Sequence, residues 1–307
     1  MAAGTGTFQT YQTIGIREDL IDIITNISPS ENSFTKLSGT GKAKQTYHEW
    51  QTDVLAVSSA NNSHVEGEVA SATAITPTVR TGNYTQILVQ DFSVTDTNEA
   101  VNSAGRASEI AYQKAKYTKL LANDIEFTLI TTSAAASGAS GTARLSKGAL
   151  GWIATNVTTA TTATSASAIS ETDFNATLAL IWAQGGMEPY MAYVGSVQKK
   201  AISAFTGNNT RFNNMKQSEI DSTVDVYNSD HGKVVIKKHR VMNLTAYAGA
   251  CLILGDMDLW KKAWLRQKGW EMLARTGAFS HYHLESELTL ESRQEKGAGK
   301  LTGYKIT

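Results

Sequence analysis

The chain of 307 residues balances 28 Lys+Arg against 28 Asp+Glu, with apolar residues at 41%, charged residues at 18% and a single cysteine. That length buries a sizeable core, and a formal charge of zero excludes strong long-range attraction to nucleic acid, a membrane surface or an acidic substrate, while letting copies of the chain approach one another. The lone Cys251 excludes an internal disulfide framework and, inside the apolar run from Ala250 to Leu254, reads as a small buried thiol rather than a nucleophile.

The opening MAAGTGTFQTYQT lacks the basic start and apolar run of a secretion signal, and no stretch has eighteen consecutive apolar residues, so a soluble protein made in a cytoplasm is expected. GIREDLIDIITNISP spaces Ile16, Leu20, Ile23, Ile24 and Ile27 by three or four, which predicts a short amphipathic helix stopped by Pro29. KAKQTYHEWQTDVLAV and TPTVRTGNYTQILVQDFSV then read as two strands separated by the soft stretch SSANNSHVEGEVASATAI. Tyr47, Trp50 and Val54 do not share one parity, and Ile87 and Val89 face opposite to Tyr84, Leu88 and Phe92. Such a ribbon has no single buried face and cannot stabilise itself in water, so it must lie against something else.

Thr95, Asp96 and Thr97 supply capping chemistry with Glu99 close behind, and the chain to about Thr132 holds no proline. One continuous helix of roughly 50 Å is predicted there, at 1.5 Å per residue. Val101, Ala104, Ala111, Ala115, Ala122, Ile125 and Leu129 form its stripe, broadened by Ile110, Tyr117, Leu121 and Phe127, with the later half as core. A stretch rich in Ser, Thr, Ala and Gly follows, interrupted by Leu150, Trp152, Ile153 and Val157, and is expected to be an ordered excursion with a mobile tip. Ser170 caps a second helix whose Phe174, Leu178, Ile181 and Trp182 share a face and which ends at Gly185 and Gly186.

MAYVGS reads as a buried strand, VQKKAISAF as a helix, TGNNTRFNNMKQSE as a polar loop, and the next run as two strands turning at Ser229 to Gly232, followed by the apolar strand AGACLILGD. Residues 190 to 255 thus describe a compact mixed domain. In the tail, LWKKAWLRQ, WEMLART, SHYHLESELTLESRQ and KLTGYKIT read as strands. In the third, Tyr282, Leu284, Leu288 and Leu290 face inward and His283, Glu285, Glu287 and Glu291 outward. The fold class is α+β.

Catalytic arrangements are weak. GxSxG, GxxxxGK[ST], HExxH and paired CxxC are absent from the sequence. His281, His283, Glu285 and Glu287 place two imidazoles and two carboxylates on one strand face, but side chains in a row seldom surround an ion tetrahedrally, so a solvated sheet face is favoured and no metal or cofactor is expected. Lys233, Lys237, Lys238, His239 and Arg240 read as the solvated edge of a hairpin rather than a phosphate site. Trp260, Trp264 and Trp270 fit a core or an intersubunit contact better than a ligand platform. Trp50, on the ribbon and without a core of its own, is the expected interface anchor, accompanied by Tyr47, Tyr84 and Phe92.

As a series, GIREDLIDIITNISPSENSF, the ribbon, NYTQILVQDFSVTDTNEAV, the helix ending NDIEFTL and the terminal WEMLARTGAFSHYHLESELTLESR resemble the major capsid proteins of tailed bacteriophages, with the Hong Kong phage-type head fold, over nearly the whole chain. The series departs from that pattern at Asn32, Ser33 and Phe34, where a Thr-Pro-Phe-like step is usual. The resemblance implies an N-terminal arm at 1–35 and an extended loop at 36–95. It also implies a peripheral domain at 96–187 and 254–307, built on a long spine helix and antiparallel sheet, and an axial domain at 188–253. It further implies a non-enzymatic protein that assembles in the host cytoplasm into hexamers and pentamers of an icosahedral virion head around double-stranded DNA. Portal and scaffolding or decoration proteins are its implied partners, and membrane is not. An encapsulin-like compartment shell is the alternative.

Overall fold

The computed structural model describes residues 32–305 apart from 57, 70–71, 73, 102–104, 161–166, 206–224, 245, 248 and 268. The helix expected over 16–27 and the polar loop of 206–219 lie outside the described residues. Among those described, no helix is long and apolar enough to cross a membrane.

The described chain begins with α1 (Ser33–Leu37). Five residues cannot hold a helix by themselves, because nucleation fixes several residues for each hydrogen bond gained. It is held at both ends from outside. Glu126 accepts hydrogen bonds from Phe34 N and Thr35 N, each at 2.7 Å, at the end where orphan N–H groups favour negative charge. The Lys262 ammonium donates to Thr35 O at 2.6 Å and Ser38 O at 3.2 Å. Phe34 is fully buried, edge-on to Tyr193.

Strand β1 (Gly39–Lys42) precedes β2 (Tyr47–Thr52) and β3 (Val79–Tyr84), which pair antiparallel from Tyr47↔Tyr84 to Thr52↔Val79, and then β4 (Gln86–Thr95). The single strand expected over 76–94 is therefore two. The break is at Thr85, whose N–H donates to Thr46 O at 2.8 Å, and the chain there passes from the ribbon to a larger sheet. That change of sheet is why no single parity runs through the segment.

The continuous helix expected from 95 to 132 is also two, α2 (Asp96–Ala100) and α3 (Glu109–Thr131). Thr95 Oγ1 caps α2 as expected, but Val101 is extended and Gly105 has a φ of 77°, which suits glycine alone among common residues. A second cap, Ser108 Oγ accepting from Ala111 N at 3.2 Å, restarts the helix, and Glu99 accepts from Ser108 Oγ at 2.6 Å and from Ile110 N at 3.1 Å. At 23 residues α3 is roughly 34 Å long rather than 50 Å. Its later half supplies the core residues Leu121, Ile125, Leu129 and Ile130.

After α4 (Ala149–Trp152) and β5 (Val157–Thr159) comes α5 (Glu171–Ala183), capped by Ser170 Oγ accepting from Asp173 N at 3.1 Å. Phe174, Leu178 and Ile181 are fully buried, but Trp182, expected on the same face, falls at its margin and is 62% exposed. The remaining elements are β6 (Tyr190–Val194), α6 (Ser196–Ser203), β7 (Val226–Ser229), β8 (Gly232–Lys238), β9 (Cys251–Leu254), β10 (Trp260–Gln267), β11 (Glu271–Met272), β12 (Phe279–Ser292) and β13 (Ala298–Thr302). The hairpin of β7 and β8 turns where expected, with Gly232 at a φ of 129°. WEMLART supplies only the two residues of β11.

Two sheets result. In the first, β12 pairs along one side with β4 and along the other with β10 and β11, while β1 runs parallel to β10. The second has the order β5-β13-β9-β6-β8-β7, so the compact unit expected within 190–255 also takes in β5 and β13. Its alternation shows burial on both faces. Cys251 and Ile253 pack with Phe174, Leu178 and Ile181 of α5, whereas Leu252 and Leu254 pack with Leu129 and Ile130 of α3.

The first sheet departs from expectation on one face. Leu284, Leu288 and Leu290 join α3 in the core as the alternation predicts, but Glu287 and Glu291, expected in water, are buried. The root of the ribbon and residues 144–147 cover them. Glu287 accepts from Thr85 Oγ1 at 2.7 Å and from Arg266 Nε at 2.8 Å and pairs with Arg144, while Glu291 meets His48 Nε2 at 3.3 Å. Asn83, fully buried, donates to Lys147 O at 3.0 Å and Leu290 O at 2.8 Å and accepts from Lys147 N at 2.9 Å.

Burial opposes the Glu287 charge, but hydrogen bonds from Thr85 and Arg266 and the charges of Arg144 and Arg266 outweigh it and hold the carboxyl below its ordinary value of 4.5. A pKa lowered by folding gives stability that is fully present above the unfolded value and is lost as pH falls through the folded one. Thermal melts between pH 3 and pH 7 should therefore show a fall in midpoint that begins near pH 4.5 and is flatter in Glu287→Gln, with the variant also less stable at pH 7 by about 1–3 kcal/mol. Parallel curves for the two proteins would show that Glu287 does not carry the acid sensitivity.

Candidate functional site

The residue sets weighed for chemistry are absorbed by the fold. His283 Nδ1 lies 2.6 Å from Asp91 Oδ1, Arg266 Nη2 lies 2.5 Å from Glu285 Oε1, and Glu287 is buried under its arginines. No group of three or more His, Cys, Asp or Glu able to hold a metal occurs among the described residues. The basic run is not a sheet edge, because β6 and β7 flank β8. His239 is buried, and its Nε2 lies 2.9 Å from Glu126 Oε1; since Nδ1 accepts from Val241 N at 3.3 Å, Nε2 is the protonated nitrogen. Trp260 is buried, and Trp264 and Trp270 pack against the core around α3, with Trp270 Nε1 donating to Thr118 Oγ1 at 3.0 Å. Desolvation pushes the Cys251 thiol far up, which leaves it inert as a nucleophile.

The ribbon is different. At its root, Tyr47 and Tyr84 face each other with ring centroids 4.6 Å apart, and Arg80 Nε lies 3.0 Å from Glu49 Oε1. A Cβ at position 82 would sit 2.8 Å from the Tyr47 ring, Glu49 Cγ and the His48 carbonyl, so only glycine fits beside this cluster. Beyond the root every described residue from 53 to 78 is exposed, and none lies in a strand or helix. Val54, Leu55, Val65, Val69 and Ile75 are carried there, with Leu55 95% and Ile75 94% exposed. Aliphatic side chains gathered on a projecting segment with no core beneath them mark a surface that another body covers.

This moves the anchors chosen from sequence. Trp50 was expected to have no core, but it is 9% exposed and packs on Trp152 with ring centroids 5.4 Å apart, where Lys147 lies over the Trp152 ring. Phe92 is buried among Tyr117, Trp270 and Tyr282 at 5.1–5.4 Å. Both are contacts within the protomer. Tyr84 is half-buried at the root and Tyr47 is exposed. The aliphatic residues of the tip lack any periodicity, and the only signal for them was apolar residues in a stretch that no element claims.

A family model described as SU10 major capsid protein matches residues 3–305. The major capsid protein of Escherichia phage Phieco32 is 35% identical over 127 residues, which span 41% of this chain and 36% of that protein. Among solved structures, one of Gordonia phage Cozz superposes with a TM-score of 0.63 at 12% identity, covering 98% of this chain and 96% of that one. The capsid of a native GTA particle gives 0.65 at 12% identity over 95% and 97%. The holo-SrpI encapsulin complex from Synechococcus elongatus gives 0.57 at 13% over 95% and 94%. These structures share the fold, and the family match is decisive: the chain belongs to the SU10 major capsid protein family.

The two root aromatics should separate in mutational tests. Trp50→Ala removes a buried ring and should lower unfolding stability by on the order of 3 kcal/mol, whereas Tyr47→Ala should cost under about 1 kcal/mol. Denaturant melts of the soluble subunit check this, and equal losses would place both residues in the same environment.

Proposed function

We propose that copies of this chain close into hexamers and pentamers of an icosahedral head around double-stranded DNA, each copy laying its extended loop on the next. The observation that carries the reading is the tip of the ribbon, where Val54, Leu55, Val65, Val69 and Ile75 are exposed and no described residue covers them. Fully burying one Val, Leu or Ile is worth about 1.5–3 kcal/mol, so several together supply a substantial contact even after the cost of ordering the loop. Closed symmetry repeats the contact many times, and no single one need be tight. Formal neutrality keeps like copies from repelling one another.

In this reading residues 1–35 are the N-terminal arm, 36–95 the extended loop, 96–187 and 254–307 the peripheral domain, and 188–253 the axial domain, whose sheet borrows β5 and β13 from its neighbour. Intersubunit contact falls to Tyr47 and the tip, while Trp50, Tyr84 and Phe92 hold the base from which the tip projects. The role is structural rather than catalytic. Assembly takes place in the host cytoplasm, with portal and scaffolding or decoration proteins as partners and the genome held by non-specific contact. An encapsulin-like compartment is the second reading, supported by the shared fold with the holo-SrpI complex, and the family match favours the phage head.

Leu55→Asp combined with Ile75→Asp should abolish shells in electron micrographs of the expressed protein while leaving the subunit's melting midpoint within about 2 °C of the parent, as surface substitutions do. Shells of ordinary yield from the double variant would refute the proposed role of the tip. Particles that form normally but carry no DNA and join no tail would favour the compartment.

A further inference from the structure

From Phe174 to Met187 the chain carries no charged residue, a span that takes in most of α5 and the turn after it. One row of α5, Phe174, Leu178 and Ile181, is buried on the second sheet. The row facing away is uncharged as well: Thr172, Ala176 and Ala183 are exposed there, Leu180 and Trp182 flank them, and Met187 follows at 66% exposure. A helix at a water surface carries charge on its outer row, whereas one that is apolar all round belongs in an interior. The opposite face of the same sheet is covered only in part. The cluster around α3 takes in Leu252 and Leu254 of β9 and Tyr193 and Met191 of β6. Their neighbours in register, Val235 on β8 and Val226 on β7, join neither core cluster of the described residues; Val226 is exposed, and Lys233 and Lys237 share that face.

We propose that these two faces meet between copies, the outer row of α5 in one protomer packing on the bare end of the second sheet, at β8 and β7, in the next. The inference rests on the assembly proposed above and adds to the loop a second contact, between axial domains. Placement is the first argument. The two faces lie on opposite sides of one sheet, so the contact joins unlike surfaces head to tail, and repetition of such a contact closes a ring. Charge is the second: the charges of α5 are the acidic Glu171 and Asp173 of its first turn, and those on the bare sheet face are the basic Lys233 and Lys237. Size is the third. The outer face of α5, roughly 20 Å long and 10 Å wide, is far below the surface of about 800 Å² per partner that holds a free-standing pair, so it serves copies already gathered in a ring. Trp182 is the large anchor at its margin, and the alanines beside it let a neighbouring backbone come close.

Cross-linking of assembled particles tests the contact, because the native Cys251 is fully buried and silent. Ala176→Cys and Val226→Cys are made singly and together in the full-length chain, and particles of each are treated with a short bis-maleimide and run on denaturing gels. The double variant should give a ladder of joined chains up to the hexamer, on the order of tenfold stronger than in dispersed subunits, and each single variant should give none. Pairs of chains from a single variant would reveal a two-fold contact, and particles of ordinary yield without a ladder would show that the faces do not meet; either result overturns this contact and leaves the shell standing. Absence of particles from the parent chain would remove the shell and this contact together. Should the cysteines block assembly, charge gives the second measure. Ala176→Lys with Ala183→Lys should lower particle yield about tenfold, and Lys233→Glu with Lys237→Glu in the same chain should restore it. An unchanged yield, or a loss without rescue, overturns the contact.

Discussion

A polar sheet face can be closed only if every charge on it finds a partner, and in this protein that requirement is met at Glu287. Its carboxylate binds Thr85 at the junction of β3 and β4, Arg144 in the excursion after α3, and Arg266 on β10. A buried charge left unpaired costs several kcal/mol, so the three partners and the glutamate stand or fall together. Asn83 repeats the device with neutral hydrogen bonds to Lys147 and Leu290. The two sites bind the root of the ribbon to the sheet. A ribbon that would be marginal alone acquires a stiff base, and among the described residues its tip from 53 to 78 stays exposed.

Glu126 performs the corresponding task for the other end of the described chain. It leaves the buried side of α3, caps the first turn of α1 and receives the proton-bearing nitrogen of His239 from the end of β8. Helix α1, the long helix α3 and the second sheet therefore share one carboxylate. A shift of any one of these elements changes the hydrogen bonding of the other two.

Local periodicity was a sound guide wherever an element is governed by its own neighbours. The cap at Ser170, the turn at Ser229 to Gly232, the strand pattern of Cys251 to Leu254 and the leucines of β12 all follow from spacing and turn chemistry. The failures have a common cause in contacts distant along the chain. Thr85 breaks a strand because Thr46 and Glu287 hold it; Glu287 and Glu291 are buried because arginines and a histidine from other segments reach them; and Trp50 has a core because Trp152 provides one. The helix break between Val101 and Ser108 has a local signal in Gly105 and a second capping serine, although no proline marks it. The candidate surface was legible only as a residue: apolar side chains in a soft stretch that no element claimed.

Family membership and physical argument converge on a capsid subunit in which, among the described residues, the segment from 53 to 78 carries exposed aliphatic side chains and no helix or strand. Hydrogen exchange over residues 53–78, compared between the dissociated subunit and the assembled particle, tests this most directly. The account predicts amides that exchange freely in the subunit and become strongly protected on assembly, with β12 and α3 protected in both. Equal exchange of the loop in the two states, whether fast or slow, would contradict it.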